Sequence, residues 1–151
     1  MVNLFAASYL PQGKCFIDKF LFFCYTLIKE VILVREDKLS NASMDFAIEI
    51  INLVKELKEK RESIISNQIG RSGTSIGANI REAHYAHGMA DFIAKLQIAL
   101  KEANETGYWL ELLYKTNYIS GNTYGELEGK CKSIRAILVS SINTAKSKLD
   151  K

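Results

Sequence analysis

The side chains in this chain that could do chemistry are few, and their spacings limit what each can do. His84 and His87 lie three residues apart and Asp91 follows four later, so one continuous helix would gather two imidazoles and a carboxylate. A catalytic zinc site needs a third good ligand on a continuing helix, and Gly88 ends the pattern first. Polar residues at a helix end are the simpler reading. Glu102, Glu105 and Glu111 invite a di-iron comparison, but the Glu-x-x-His pairs of such sites are missing. Gly73-Thr74-Ser75-Ile76-Gly77 reads GTSIG rather than a Ser-centred GxSxG, and Gly70 to Ser75 lacks the Gly-Lys-Ser/Thr ending of a phosphate loop. No strand pattern precedes either. The expectation is a protein that is not an enzyme, with no catalytic residue, cofactor, metal or small-molecule substrate.

Ionic and aromatic residues remain. Arg71 and Arg81 each interrupt a surface of small residues, where an arginine can clamp phosphate or pair with Glu82, Glu102 or Glu105 of a neighbouring helix. From Lys130 to Lys151 there are six Lys/Arg against Asp150 alone, a local net of +5. Lys130, Lys132, Arg135, Lys146 and Lys148 are the candidate phosphate contacts. Tyr108, Trp109, Tyr114, Tyr118 and Tyr124 lie close in sequence to them and could stack bases. The competing reading is that the basic side chains snorkel over an apolar seam and the rings fill one end of a helical bundle.

These residues sit on four amphipathic segments. The first is expected from about Ser43, whose hydroxyl can cap it, to Lys60, with Phe46, Ala47, Ile50, Val54 and Leu57 on one face. The second, about Ser63 to His87, keeps helical time with Ile65, Ile69, Ile76, Ile80 and Ala83, and Gly88 is its expected stop. Beside that stripe Gly70, Gly73 and Gly77 form a strip of small residues. Each glycine costs about 1 kcal/mol in a helix interior, which tight packing against another helix can repay.

The third segment, about Ala90 to Thr116, buries Phe92, Ile93, Leu96, Ala99, Leu100, Ala103, Gly107, Leu110 and Tyr114. It carries a second apolar face at Ala94, Ile98, Trp109 and Leu112, broken by Lys101, Glu102 and Glu105. Two apolar faces need two partners, so self-association is expected, with Arg71, Gly73, Gly77, Arg81, Ile98, Glu102, Glu105, Trp109 and Leu112 as packing or interface residues. The alternative puts Trp109 and Leu112 under the N-terminal extension of a monomer. After a loop over Asn117 to Gly125, the fourth segment runs from Tyr124 to Leu149. It buries Leu127, Cys131, Ile134, Leu138, Ile142, Ala145 and Leu149. Four long segments with short connections predict an all-α, antiparallel up-down-up-down four-helix bundle.

A length of 151 residues with 48% hydrophobic content suits one domain with a real core, here residues 34–151. Residues 1–33 read as an extension outside the working domain. Their nine-residue apolar run, Phe20 to Ile28, is far short of the roughly 20 residues that span a bilayer, so no membrane partner is expected. Three scattered cysteines, Cys15, Cys24 and Cys131, give neither a disulfide framework nor a metal pair and point to a reducing cytoplasm. The overall charge of +3 is mild.

Two motifs add a resemblance. Arg71 to Ala83 reads RSGTSIGANIREA, and Asp91 to Leu113 reads DFIAKLQIALKEANETGYWLELL. In these, and more loosely in FAIEIINLVKEL (Phe46 to Leu57), the chain resembles the four-helix-bundle family that includes proteins encoded in intervening sequences of bacterial 23S ribosomal RNA genes. The resemblance covers roughly Val34 to Leu149. It implies a small bundle assembling into a ring-shaped homopentamer, with no enzymatic activity and no cofactor. In a related branch, the accessory proteins of diversity-generating retroelements, a basic pentamer is thought to bind nucleic acid and a reverse transcriptase. The present chain departs at residues 1–33, at Gly70, where a larger apolar residue is usual, and at Gly107, where a better helix former is usual. The resemblance therefore implies RNA, DNA or a nucleic-acid enzyme as partner, and a purely structural or protein-interaction module stands as the alternative.

Overall fold

The computed structural model describes residues 16–149, with side chains from residue 38 onward. The chain divides into two compact units, Met1–Glu36 and Asp37–Lys151. Among the described residues there are four helices and no strand: α1 Phe16–Glu59, α2 Ile64–Ala83, α3 Met89–Lys115 and α4 Gly121–Leu149.

α1 is far longer than the expected segment from Ser43. No glycine or proline lies between Gly13 and Gly70, so nothing interrupts the helix before its end at Glu59. Ser43 is not a cap. Its hydroxyl donates back to the Ser40 carbonyl at 2.8 Å, and the residue is buried inside the helix. The apolar run Phe20 to Ile28 has helical backbone, and its side chains lie outside the described residues.

α1 stops through a Schellman turn. Arg61 takes a left-handed φ of 61°, its N–H donates to Lys58 O, and the Glu62 N–H donates to Leu57 O. α3 ends the same way at Asn117, also at φ 61°, with Tyr118 N–H donating to Leu113 O. α2 ends at Ala83, earlier than expected, and continues as single turns in which the N–H groups of Tyr85 and Ala86 donate to Glu82 O and Ala83 O. Gly88 therefore does not stop α2. It precedes α3 in fully extended backbone, and Asp91 in the first turn accepts the His87 N–H at 3.1 Å. Gly121 and Asn122, expected in a loop, are the first residues of α4, because the Ser120 hydroxyl caps that helix by accepting the Thr123 N–H.

One core joins all four helices. Its fully buried centre includes Phe46, Ile50, Leu57, Ile69, Ile76, Leu110, Leu113, Ile134 and Leu138. The α4 stripe is buried as expected from Leu127 to Ala145, whereas Leu149 is exposed in the last turn. Tyr114 is also exposed rather than buried, and Leu113 occupies the core in its place.

The glycine strip of α2 lies against α1. A Cβ added at Gly73 would fall 2.9 Å from Ile50 Cγ2, one at Gly77 3.3 Å from Ser43 Oγ, and one at Gly70 3.3 Å from Val54 Cγ2. On the other side of α2, buried Ser72 and Thr106 of α3 share a 2.9 Å hydroxyl hydrogen bond. Both helices thus use short side chains where they meet.

Candidate functional site

The outer seam between α2 and α3 carries an ionic cluster. Arg71 reaches Glu105 at 2.5 Å and Glu102 at 3.6 Å, so its carboxylate partners belong to its own chain. Glu105 also accepts the Trp109 indole N–H at 3.3 Å. Trp109 is half-buried and meets Tyr108 edge to face at 4.9 Å. Along this side of α3, Ile98 is 43% exposed and Leu112 half-buried. Arg81 is exposed in the last turn of α2, and its neighbour Glu82 pairs with Lys95 at 2.5 Å. That bond, with Glu82's charge, holds the Lys95 ammonium above the usual lysine range.

The five basic candidates on α4 do not converge. Lys130 donates to Glu49 of α1 at 2.5 Å, which holds its pKa above the usual lysine value. Lys132 approaches Glu128 at 3.9 Å. Arg135 turns inward: its guanidinium donates to Glu128 Oε1 at 2.7 Å and to the Ala103 carbonyl of α3 at 3.4 Å. Gly107 makes this possible, because a Cβ there would sit 2.5 Å from Arg135 Nη1 and 3.3 Å from Glu128 Oε2. The departure from a better helix former at Gly107 thus coincides with the place where the Arg135 guanidinium lies against α3. Beside this pair the buried Cys131 thiol donates to Ala103 O, and burial pushes its pKa up to about 11. Lys146 and Lys148 are exposed in the last turn, where cations oppose the negative helix end.

The aromatic cluster separates into two pairs. Tyr114 and Tyr124 stack at 4.8 Å and 5° across the α3–α4 connection. Tyr118 contributes its carbonyl, which accepts from Lys60 at 2.9 Å. Among the described residues no group of three His, Cys, Asp or Glu could hold a metal, and no helix is long and apolar enough to cross a membrane.

Sequence reasoning missed the Arg135–Glu128 pair. Their spacing of seven, two helical turns, together with a glycine on the facing helix, is the signal that could have found it. It also missed an open groove of about 630 Å³ between α1 and α4.

The sequence pattern of the 23S rRNA-intervening sequence protein family matches residues 35–140. The chain belongs to that family. A solved structure of a family relative aligns with a TM-score of 0.71 and 51% identity, covering 72% of this chain and 98% of the other. That structure is of a protein of unknown function from the S23 ribosomal protein family of Bacteroides thetaiotaomicron. No curated protein matches this member of the 23S rRNA-intervening sequence protein family.

Proposed function

We propose that this family member is a non-enzymatic, self-assembling binding protein associated with RNA, DNA or a nucleic-acid enzyme in the cytoplasm. Its helices form an antiparallel up-down-up-down bundle. In support, α2 partners descend through Gly77, Gly73 and Gly70 as α1 partners ascend through Ser43, Ile50 and Val54. Likewise Glu82 meets Lys95, while Arg71 meets Glu105.

Bundles of this kind join into a ring-shaped homopentamer through the outer face of α3. Ile98 and half-buried Trp109 and Leu112 there border the Arg71, Glu102 and Glu105 cluster, a mixture suited to an interface. Light scattering should give a mass near five chains, and a monomer mass rejects the assembly.

The nucleic-acid reading is carried by membership of a family described by a 23S rRNA intervening sequence. Lys132, Lys146 and Lys148, all exposed on α4, are the phosphate contacts. Binding to generic RNA should weaken with salt by a slope of about −0.7 per phosphate neutralised. A slope near zero rejects this reading.

A second reading, a structural or protein-interaction module without nucleic acid, is favoured by one observation. Lys130, Lys132 and Arg135 all have carboxylate partners inside the fold, so less positive charge is available than the sequence offers. The same salt titration separates the two.

A further inference from the structure

We propose that the groove between α1 and α4 docks a basic amphipathic helix supplied by another protein. Phe46 and Ile134, both buried, form its floor. On its α1 side the lining residue Ile48 is 53% exposed, and Met44 and Ile51, outside the lining, extend the apolar surface beyond the rim at 43% and 40%. These three lie four and three residues apart, the spacing at which side chains on one helix form a continuous ridge. An exposed apolar ridge beside an apolar floor is what a helix-in-groove partner buries.

The α4 side supplies room for close approach. Among the described residues, a Cβ at Gly129 would meet no heavy atom within 4 Å, and the same holds one turn earlier at Gly125. Unlike Gly73 and Gly107, these glycines make space for no described side chain, although each costs about 1 kcal/mol in helix propensity. A helix laid along the groove would use that space.

Charge selects the occupant. Among the described residues Asp45, Glu49 and Glu126 line the groove with Lys130 as the one cation, so three carboxylates against one ammonium leave a net of −2. All three carboxylates act on Lys130, Glu49 most strongly through its hydrogen bond. Such a surface repels phosphate and attracts lysine or arginine flanking an apolar face. A second copy as occupant is an outcome that the test distinguishes. The inference is independent of the nucleic-acid reading, since it concerns a different face and the opposite charge.

The test uses the full chain and a fluorescein-labelled synthetic peptide of about 18 residues, five helical turns, with leucines at i, i+3, i+4 and i+7 flanked by lysines. A second peptide carries glutamate for every lysine. Anisotropy should show saturable binding of the lysine peptide, weakened about tenfold or more, some 1.4 kcal/mol, by Gly129→Trp and by Glu126→Lys. The glutamate peptide should not bind. Because no described residue lies near a Gly129 Cβ and tryptophan has the better helix propensity, Gly129→Trp should not lower the melting temperature, so lost binding isolates the groove. No saturable binding, or equal binding to Gly129→Trp, overturns the proposal. So does a fall in assembly mass of Gly129→Trp alone, which would assign the groove to a second copy.

Discussion

Gly73 and Ile50 show how a single missing side chain seats one helix on another. Ile50 is fully buried and β-branched, so it has no free rotamer with which to yield to a new methyl group. Overpacking costs about 1–3 kcal/mol, against about 1 kcal/mol regained in helix propensity. Gly73→Ala should therefore lower stability by about 1 kcal/mol in urea denaturation. The loss should shrink in an Ile50→Ala background, which removes both Cγ atoms that a Gly73 Cβ would meet, and additive effects across that double-mutant cycle would reject the contact. The periodicity of α2 placed Gly73 on a packing strip, but no pattern named Ile50 as its neighbour. Cys131 supports a second expectation. Its thiol stays protonated in the folded state up to about pH 11, while in the unfolded chain it ionises from about pH 9. Below that window the thiol contributes no pH dependence, and as pH rises through it the unfolded state is favoured. The stability difference between the wild type and Cys131→Ala should hence shift against the wild type between about pH 9 and 11, and a flat difference would contradict the buried thiol.

The helices themselves were legible because apolar residues recur every three or four positions over more than five turns. Their ends were less so. Ser43 has the chemistry of a cap but lies in the middle of α1, where burial against Gly77 makes use of its small size. The real start of α2 depends on Glu62. Its carboxylate accepts the N–H groups of Ile64, Ile65 and Ser66 at 2.9, 2.9 and 2.7 Å, whereas the Ser63 hydroxyl caps nothing. A charged acceptor at the positive helix end satisfies the donors that a hydroxyl would otherwise take. Glu62→Ala should cost about 1–2 kcal/mol, the range of a lost cap. Arg61→Gly should instead stabilise by about 1 kcal/mol, since the left-handed conformation penalises a side chain there. Thermal unfolding reads both as opposite shifts of Tm, about 2–4 °C per kcal/mol for a chain of this size.

At the scale of the molecule, the fold class and the family motifs were written in sequence, while the charge available at the surface was not. Six Lys/Arg in the last helix and tail suggested a basic face, yet Lys132 and Arg135 meet Glu128 one and two turns away on α4, and Lys130 meets Glu49 of α1, which periodicity alone cannot place opposite it. The outer face of α3 offers the corresponding test of assembly. Ile98→Lys changes an exposed side chain, so folding stability should move by less than about 0.5 kcal/mol. Sedimentation should show a smaller particle, and an unchanged mass would remove that face from the interface. Glu62 has one further consequence. Its backbone N–H closes α1 on Leu57, and its carboxylate opens α2. Two helix ends that share one residue cannot fray separately, so amide hydrogen exchange should report the end of α1 and the first turn of α2 opening as one cooperative unit.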